Sequence, residues 1–291
     1  MIKPSGIIPA VITPMKAGNL DYEATTRHLE ILINEGVDGL FILGTNGEFH
    51  VLSDDEKVDF AKHVIEVVAK RVPVYVGVGA CGTKLSVDLA KRMADLKPDA
   101  LSVITPYLVK ISQDDLINHY QEIADATDIP VILYNIPANT GINIEPSTLE
   151  SLINHPNIVG IKDSSGNMEL MEKYIKIRGN SEFSVLVGSD SKILDAYKLG
   201  ADGCVASTAN VITPQIRKII DAFLNEKIEI AQKEQDKLDS IRGIMKIKAI
   251  PSVLKRLVSL KNGDVGEARL PAPQIGNKYD LEIEEVLALY R

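Results

Sequence analysis

Asn157-Ile158-Val159-Gly160-Ile161-Lys162-Asp163-Ser164-Ser165-Gly166 opens with apolar residues and a glycine, runs into a lysine, and closes in a polar turn. A short, continuous apolar run bounded by turn residues is the pattern of a parallel strand buried on both faces. The strand Ile158–Ile161 therefore delivers Lys162 to its C-terminal end, the edge where α/β folds place their chemistry. A lysine held there against Ile158, Val159 and Ile161 is expected to lose solvation, which lowers its pKa. At an ordinary pKa of about 10.4, only about one amine in several thousand would be neutral at pH 7. Desolvation is the expected correction, and a neutral amine attacks carbonyls.

Seven runs of the same kind accompany it: Ile7–Ile12, Gly39–Leu43, Val74–Val78, Ala100–Ile104, Val131–Tyr134, Ser184–Val187 and Gly203–Ala206. Helical patterns lie between them. Ser53-Asp54-Asp55-Glu56 is a capping-box start, and Val58, Ala61, Ile65 and Val68 then recur as one apolar stripe. Asp21 is placed to cap a helix carrying Leu29, Leu32 and Ile33, and Ser112, followed by Asp114 and Asp115, opens another. Pro146 and Pro214 stand where a first helical turn begins.

Eight strand–helix units predict an α/β fold, a (β/α)8 TIM barrel with a small C-terminal helical domain. A doubly wound sheet is the competing architecture. It more often shows five or six strands and a dinucleotide loop, and no G-x-G-x-x-G follows the first strand here. The expected boundaries are residues 1–226 for the catalytic barrel and 227–291 for the helical appendage. In the latter, Ile228–Ile247 and Ile250–Leu260 read as helical, Pro271-Ala272-Pro273 as an extended connector, and the last helix lies near Leu281–Tyr290.

The chain has 291 residues, of which 45% are hydrophobic and 25% charged, as in ordinary soluble globular proteins. A net charge of -8 argues against a nucleic-acid backbone as partner. No apolar run approaches the roughly 18–20 residues of a membrane-spanning helix, and the N-terminus lacks the pattern of a secretory signal, so a cytoplasmic location is expected. Cys81 and Cys204 match no disulfide framework or zinc pattern and read as two buried free thiols. His28, His50, His63, His119 and His155 show no metal-ligand spacing; surface or hydrogen-bonded core positions are expected, with no metal.

The predicted strand ends form one constellation. Gly44-Thr45-Asn46-Gly47-Glu48 follows the second strand, Thr105-Pro106-Tyr107 the fourth, and Tyr134-Asn135-Ile136-Pro137-Ala138-Asn139-Thr140-Gly141 closes the fifth. Lys162 ends the sixth, Gly188-Ser189-Asp190 follows the seventh, and Ser207-Thr208-Ala209-Asn210 the eighth. The glycine loop offers successive backbone N–H groups with little side-chain obstruction, which suits a carboxylate, although the same pattern serves a plain tight turn. Tyr134 ends the strand next to that of Lys162, where a phenol can shuttle protons, although a tyrosine there also makes ordinary core. A lysine nucleophile, a hydroxyl relay and an anion cradle together fit a 2-oxo acid bound as a Schiff base, with no separate cofactor. Its protonated imine is an electron sink that lets the adjacent carbon make or break a carbon–carbon bond.

These same motifs, Gly44-Thr45-Asn46-Gly47-Glu48, Tyr134-Asn135-Ile136-Pro137 and Gly160-Ile161-Lys162-Asp163, occur in an order and spacing that resemble the dihydrodipicolinate synthase / N-acetylneuraminate lyase family. The likeness covers essentially the whole chain. It implies a (β/α)8 barrel, a C-terminal helical domain and pyruvate-dependent class I aldolase chemistry, usually in homotetramers built from tight dimers. By this resemblance Lys162 is the Schiff-base lysine, Tyr134 the proton-relay tyrosine and Thr45 the relay hydroxyl. The Thr45/Asn46 backbone would hold the carboxylate of pyruvate, and Ser207 and Asn139 join the substrate-binding residues.

Three positions depart from the dihydrodipicolinate synthases of that family. They carry an arginine where this chain has Asn139, a neutral amide that makes no bidentate charge-assisted pair. Their second loop threonine is Asn46 here, and a tyrosine that reaches into the neighbouring subunit's relay is Leu108. The two asparagines resemble 4-hydroxy-2-oxoglutarate aldolases. The expected activity is accordingly a class I aldolase of a 4-hydroxy-2-oxo acid, acting on pyruvate and an aldehyde. Condensation of pyruvate with aspartate semialdehyde is the alternative, and a non-catalytic 2-oxo acid binding relative, suggested by Leu108, is a third reading.

Overall fold

The structure is a computed structural model that describes residues 2–290. Eight strands and eight helices alternate: β1 (Gly6–Pro9), α1 (Tyr22–Asn34), β2 (Leu40–Ile42), α2 (Asp54–Val68), β3 (Val74–Gly77), α3 (Thr83–Ala94), β4 (Ala100–Ile104), α4 (Gln113–Asp125), β5 (Val131–Asn135), α5 (Pro146–Leu152), β6 (Ile158–Asp163), α6 (Met168–Arg178), β7 (Ser184–Val187), α7 (Ile193–Leu199), β8 (Gly203–Ala206) and α8 (Ala209–Leu224). The eight strands form one sheet in the order β1-β8-β7-β6-β5-β4-β3-β2. Ala10, just beyond β1, bridges Phe41 of β2 in parallel and joins the two ends of that order. This is the (β/α)8 barrel that the sequence predicts.

The chain divides into two compact units. One consists of Pro73–Val205 with the N-terminal residues through Gly6, the other of Ile7–Val72 with the residues from Ala206 on. In the first unit, β3 to β8 pair in parallel. Leu101, Val103, Val131, Leu133, Ile161 and Val185 are completely buried, as continuous apolar strands require. Helix α4 starts at a capping box, with Ser112 accepting from the Asp115 N–H. It buries Leu116, Tyr120 and Ile123, and the Tyr120 hydroxyl donates to Val103 O.

In the second unit, Asp21 caps α1 by accepting from Ala24 N at 2.9 Å. Helix α2 opens on the predicted Ser53–Glu56 box, with each residue's side chain bonded to the other's backbone. Its buried stripe is Phe60, Ala61, Val64 and Val68 with the stem of Lys57, whereas Val58 and Ile65 are half-buried. Apolar residues on this helix fit more than one face, and packing rather than spacing selects between them. Pro146 begins α5 as expected. Pro214 stands inside α8, two residues beyond a break at Ile212 (φ -129°, ψ 38°), so it serves the first turn after a kink.

Beyond α8 come α9 (Ile228–Asp236), α10 (Leu238–Ile244), α11 (Ile250–Asn262) and α12 (Asp280–Ala288). The segment expected to be helical over residues 228–247 forms two helices, α9 and α10. Strand ends also differ from expectation. Strand β1 ends at Pro9, with single backbone bonds from Ala10 and Val11 beyond it, while β6 runs two residues past Ile161 to Asp163. Cys204 is buried as expected, but Cys81 is exposed, in the turn that leads into α3.

The histidines are hydrogen-bonded as expected at four positions: His28 to Asn210, His63 to Thr26, His119 to Thr83 and His155 to Asp125. Among the described residues no cluster with metal-binding composition occurs, and no helix is long and apolar enough to cross a membrane.

His28 generates a pH prediction. Burial drives its pKa down to about 4, against the hydrogen bond to Asn210. The native state then binds this proton more weakly than the unfolded chain. Its contribution is complete above about pH 6.5 and is lost as the pH falls towards about 4, an amount of about 3 kcal/mol. Urea midpoints should decline across that window, and His28→Gln should flatten part of the decline. A midpoint that is level from pH 7 to 4.5 in the native chain would refute this.

Candidate active site

Lys162 and Tyr134 come together through strand register. In the β5–β6 pair, Tyr134 stands opposite Lys162 and Asn135 opposite Asp163. Val131 pairs with Ile158, but the next residue, Ile132, pairs with Gly160, leaving Val159 as an extra residue in β6. Uninterrupted pairing would set Tyr134 against Ile161 and turn Lys162 to the other face. Gly160 follows the extra residue and admits the close approach of β7 on the other side, since a Cβ there would lie 2.9 Å from Ser184 O. A glycine inside an apolar strand is the signal that marks such sites in sequence.

Lys162 and Tyr134 are each only 4% exposed, as the strand reading requires. The Lys162 Nζ lies over the Tyr134 ring, 3.8 Å from its centroid, against the negative face of the π-system. Space for the lysine stem depends on Gly188, directly after β7. A Cβ at that position would fall 2.0 Å from Ser164 Oγ and 3.0 Å from Lys162 Cε.

One residue further along, β5 and β6 are locked by side chains that the sequence analysis did not select. Asn135 Nδ2 donates to Asp163 Oδ1 at 2.8 Å and to Asn143 Oδ1 at 2.9 Å. Asn135 Oδ1 accepts from Ile144 N at 3.0 Å, and Asp163 accepts from both the backbone and the hydroxyl of Ser165. Burial pushes the Asp163 carboxyl above its ordinary pKa, while the donors from Ser165 and Asn135 pull it back. Their place directly after Tyr134 and Lys162 is the signal that would have found them: a polar pair ending two adjacent apolar strands needs internal partners.

Asn139 is exposed, in the short helical turn Pro137–Thr140 that follows Tyr134. That turn is held by Thr105 Oγ1 donating to Thr140 Oγ1 at 2.8 Å. Leu108 is 87% exposed and takes a left-handed backbone (φ 80°), next to the exposed Val109.

In the second unit, the expected anion loop follows β2 as a tight turn, with Glu48 N donating to Thr45 O at 3.1 Å. Thr45 is half-buried and Asn46 buried. Asn46 Nδ2 donates to Ser207 Oγ at 2.7 Å, so two of the expected substrate-binding side chains meet each other. Thr13 Oγ1 donates to Gly47 O at 2.7 Å from the β1 side. Gly44 allows close packing, because a Cβ there would lie 2.3 Å from the Phe41 ring.

A model of the dihydrodipicolinate synthetase family matches residues 3–289. The 4-hydroxy-tetrahydrodipicolinate synthase of Thermodesulfovibrio yellowstonii is 35% identical over 282 residues, 97% of each chain. A dihydrodipicolinate synthase of Bacillus anthracis has a similar structure, with a TM-score of 0.95 at 33% identity over 99% of both chains. A prophage protein of Escherichia coli K12, which belongs to the dihydrodipicolinic acid synthase family and was solved with pyruvate, gives 0.91 at 29% identity. That match covers 98% of this chain and 97% of the other.

Clearance at Gly188 yields a direct test. Gly188→Ala should slow the formation of a borohydride-reducible adduct between Lys162 and pyruvate by about tenfold or more, because the added methyl clashes with Ser164 and crowds the end of the lysine stem. Intact-mass kinetics on a variant with native circular dichroism measure this. An unchanged rate would show that the clearance is not needed.

Proposed function

The chain belongs to the dihydrodipicolinate synthetase family, and we propose that it condenses pyruvate with aspartate semialdehyde through an enamine on Lys162. Members of the family are pyruvate-dependent lyases of the class I aldolase type, which use a lysine Schiff base and no cofactor. The observation that carries the role of Lys162 is its burial at the end of β6, directly against Tyr134.

Lys162 attacks C2 of pyruvate as the free amine, and loss of water from the carbinolamine leaves a protonated imine. Removal of a C3 proton gives the enamine, whose C3 attacks the aldehyde carbon. Hydrolysis of the imine then returns the lysine. The Tyr134 phenol and the Thr45 hydroxyl move protons in these steps, and the Thr45 and Asn46 backbone, with Ser207, holds the carboxylate of pyruvate. The catalytic barrel is assigned to residues 1–226 and the helical appendage to 227–291. Exposed Leu108 and Val109 support a partner-facing loop, consistent with a homodimer or homotetramer.

From sequence alone, a 4-hydroxy-2-oxo acid aldolase came ahead of the synthase. The name of the 35%-identical relative supports the opposite order. Asn139 favours the aldolase as a second reading, since an exposed neutral amide offers the acceptor's carboxylate no fixed positive charge.

Pyruvate followed by borohydride should leave a reduced pyruvyl group on Lys162, detected by peptide mapping. A folded chain whose mass does not change would remove the Schiff-base assignment. Tyr134→Phe should retain the fold and slow trapping by about a hundredfold.

A coupled assay with aspartate semialdehyde should give robust condensation. Turnover of 4-hydroxy-2-oxoglutarate with none of aspartate semialdehyde would replace the synthase by the second reading, and Asn139→Arg should then raise the semialdehyde activity.

A further inference from the structure

We propose that the buried ion pair between Glu48 and Lys255 is a positioning device that holds the Gly44–Glu48 loop, and with it the Thr45 and Asn46 backbone, in place for the carboxylate of pyruvate. This deepens the role proposed for that loop and rests on it.

Glu48 and Lys255 are both about 1% exposed, and Glu48 Oε1 lies 2.5 Å from Lys255 Nζ. The second carboxylate oxygen accepts from Arg269 N at 2.8 Å. Lys255, on α11, also donates to Glu267 O at 3.1 Å. Arg269 continues the clamp past Glu48, since its guanidinium reaches Val51 O at 2.8 Å and Glu56 at 2.7 and 3.0 Å. Residues 255–269 thus grip the loop at Glu48 and again three residues later.

The grip acts on backbone that would relax without it. Glu48 (φ 58°) and Leu43 (φ 55°) both take the left-handed conformation, which carries strain for residues with a Cβ. They bracket the stretch from Gly44 to Gly47. A glycine at position 48 would relieve its share of that strain, but it would supply no carboxylate. Inside the bracket, Glu48 N closes the turn on Thr45 O, so a displacement of Glu48 is transmitted to the peptide groups at Thr45 and Asn46.

Stability alone does not account for the pair. Desolvation of two charges largely cancels their attraction, and apolar residues of equal volume often serve a fold as well. What a buried ion pair with further backbone partners supplies is a defined position. Burial lowers the Lys255 pKa, against the opposing effect of Glu48, as expected for an ammonium that depends on one carboxylate. The C-terminal helical segment thereby contributes to pyruvate binding without supplying a group that touches it.

The test is the pyruvate dependence of borohydride trapping, read by intact mass in the full-length chain. Lys255→Met should raise the half-saturating pyruvate concentration by about tenfold or more, while the trapping rate at saturation falls by less than about threefold. If Lys255→Met does not fold, the matched Glu48→Gln/Lys255→Met variant, which leaves no unpaired buried charge, takes its place with the same expected shift. A folded variant with a lower melting temperature but half-saturation within twofold of the native chain would overturn the proposal and make the pair purely structural. Native chain that is not trapped at all would instead overturn the Schiff-base reading, and this inference with it.

Discussion

One extra residue in β6 determines what the first unit can do. Because Val159 has no partner in β5, every later pair shifts by one, and Lys162 faces Tyr134 instead of turning away from it. Side chains on a strand alternate between faces, so a one-residue slip is the largest change in orientation that a strand can undergo. Gly160, the next residue, leaves room for β7, where a side chain would meet Ser184 O. The contact between ammonium and ring, the burial of both groups and the room kept by Gly188 all follow from that register.

The polar residues just beyond the pair keep it from slipping back. Asn135 and Asp163 occupy the next register position and spend their hydrogen bonds on each other, on Ser165 and on the Asn143–Ile144 backbone and side chain. A shift by one residue would take from the buried Asp163 carboxylate its donor on β5, Asn135, and the loss of a partner to a buried charge costs more than an ordinary hydrogen bond gains. The apolar strand supplies burial, and the polar end supplies uniqueness.

The second unit uses the same means at the glycine loop. Two left-handed residues, an internal turn, Thr13, Ser207 and the Lys255 ammonium all fix a stretch of five residues. Flexible glycines allow the close packing, and buried charge decides where the packed loop stays. Of the three departures from the dihydrodipicolinate synthase pattern, Asn46 is buried within this loop, whereas Asn139 and Leu108 are exposed. Lys162 and Tyr134 are therefore built into the core, whereas Asn139 and Leu108 lie on surface loops, which tolerate change.

Much of this was legible in the chain. Continuous apolar runs identified all eight strands, and the capping residues Asp21, Ser53 and Ser112 located the starts of α1, α2 and α4, because burial and unsatisfied N–H groups leave local marks in sequence. Lys162, Tyr134 and the glycine loop stood out as polar groups at the ends of apolar strands. Two of the four stripe positions on α2, Val58 and Ile65, are only half-buried, and Cys81 is exposed rather than buried, since each depends on what packs against it. The acceptor stayed open because Asn139 constrains chemistry only by lacking a charge. By itself the sequence determined the barrel, the strand that carries the lysine and the pyruvate-dependent chemistry its motifs resemble. Tertiary structure alone decided that Lys162 faces Tyr134, that Gly188 clears its stem and that Lys255 reaches Glu48. Those outcomes rest on register and on pairs as far apart in the chain as Glu48 and Lys255, which no local pattern encodes.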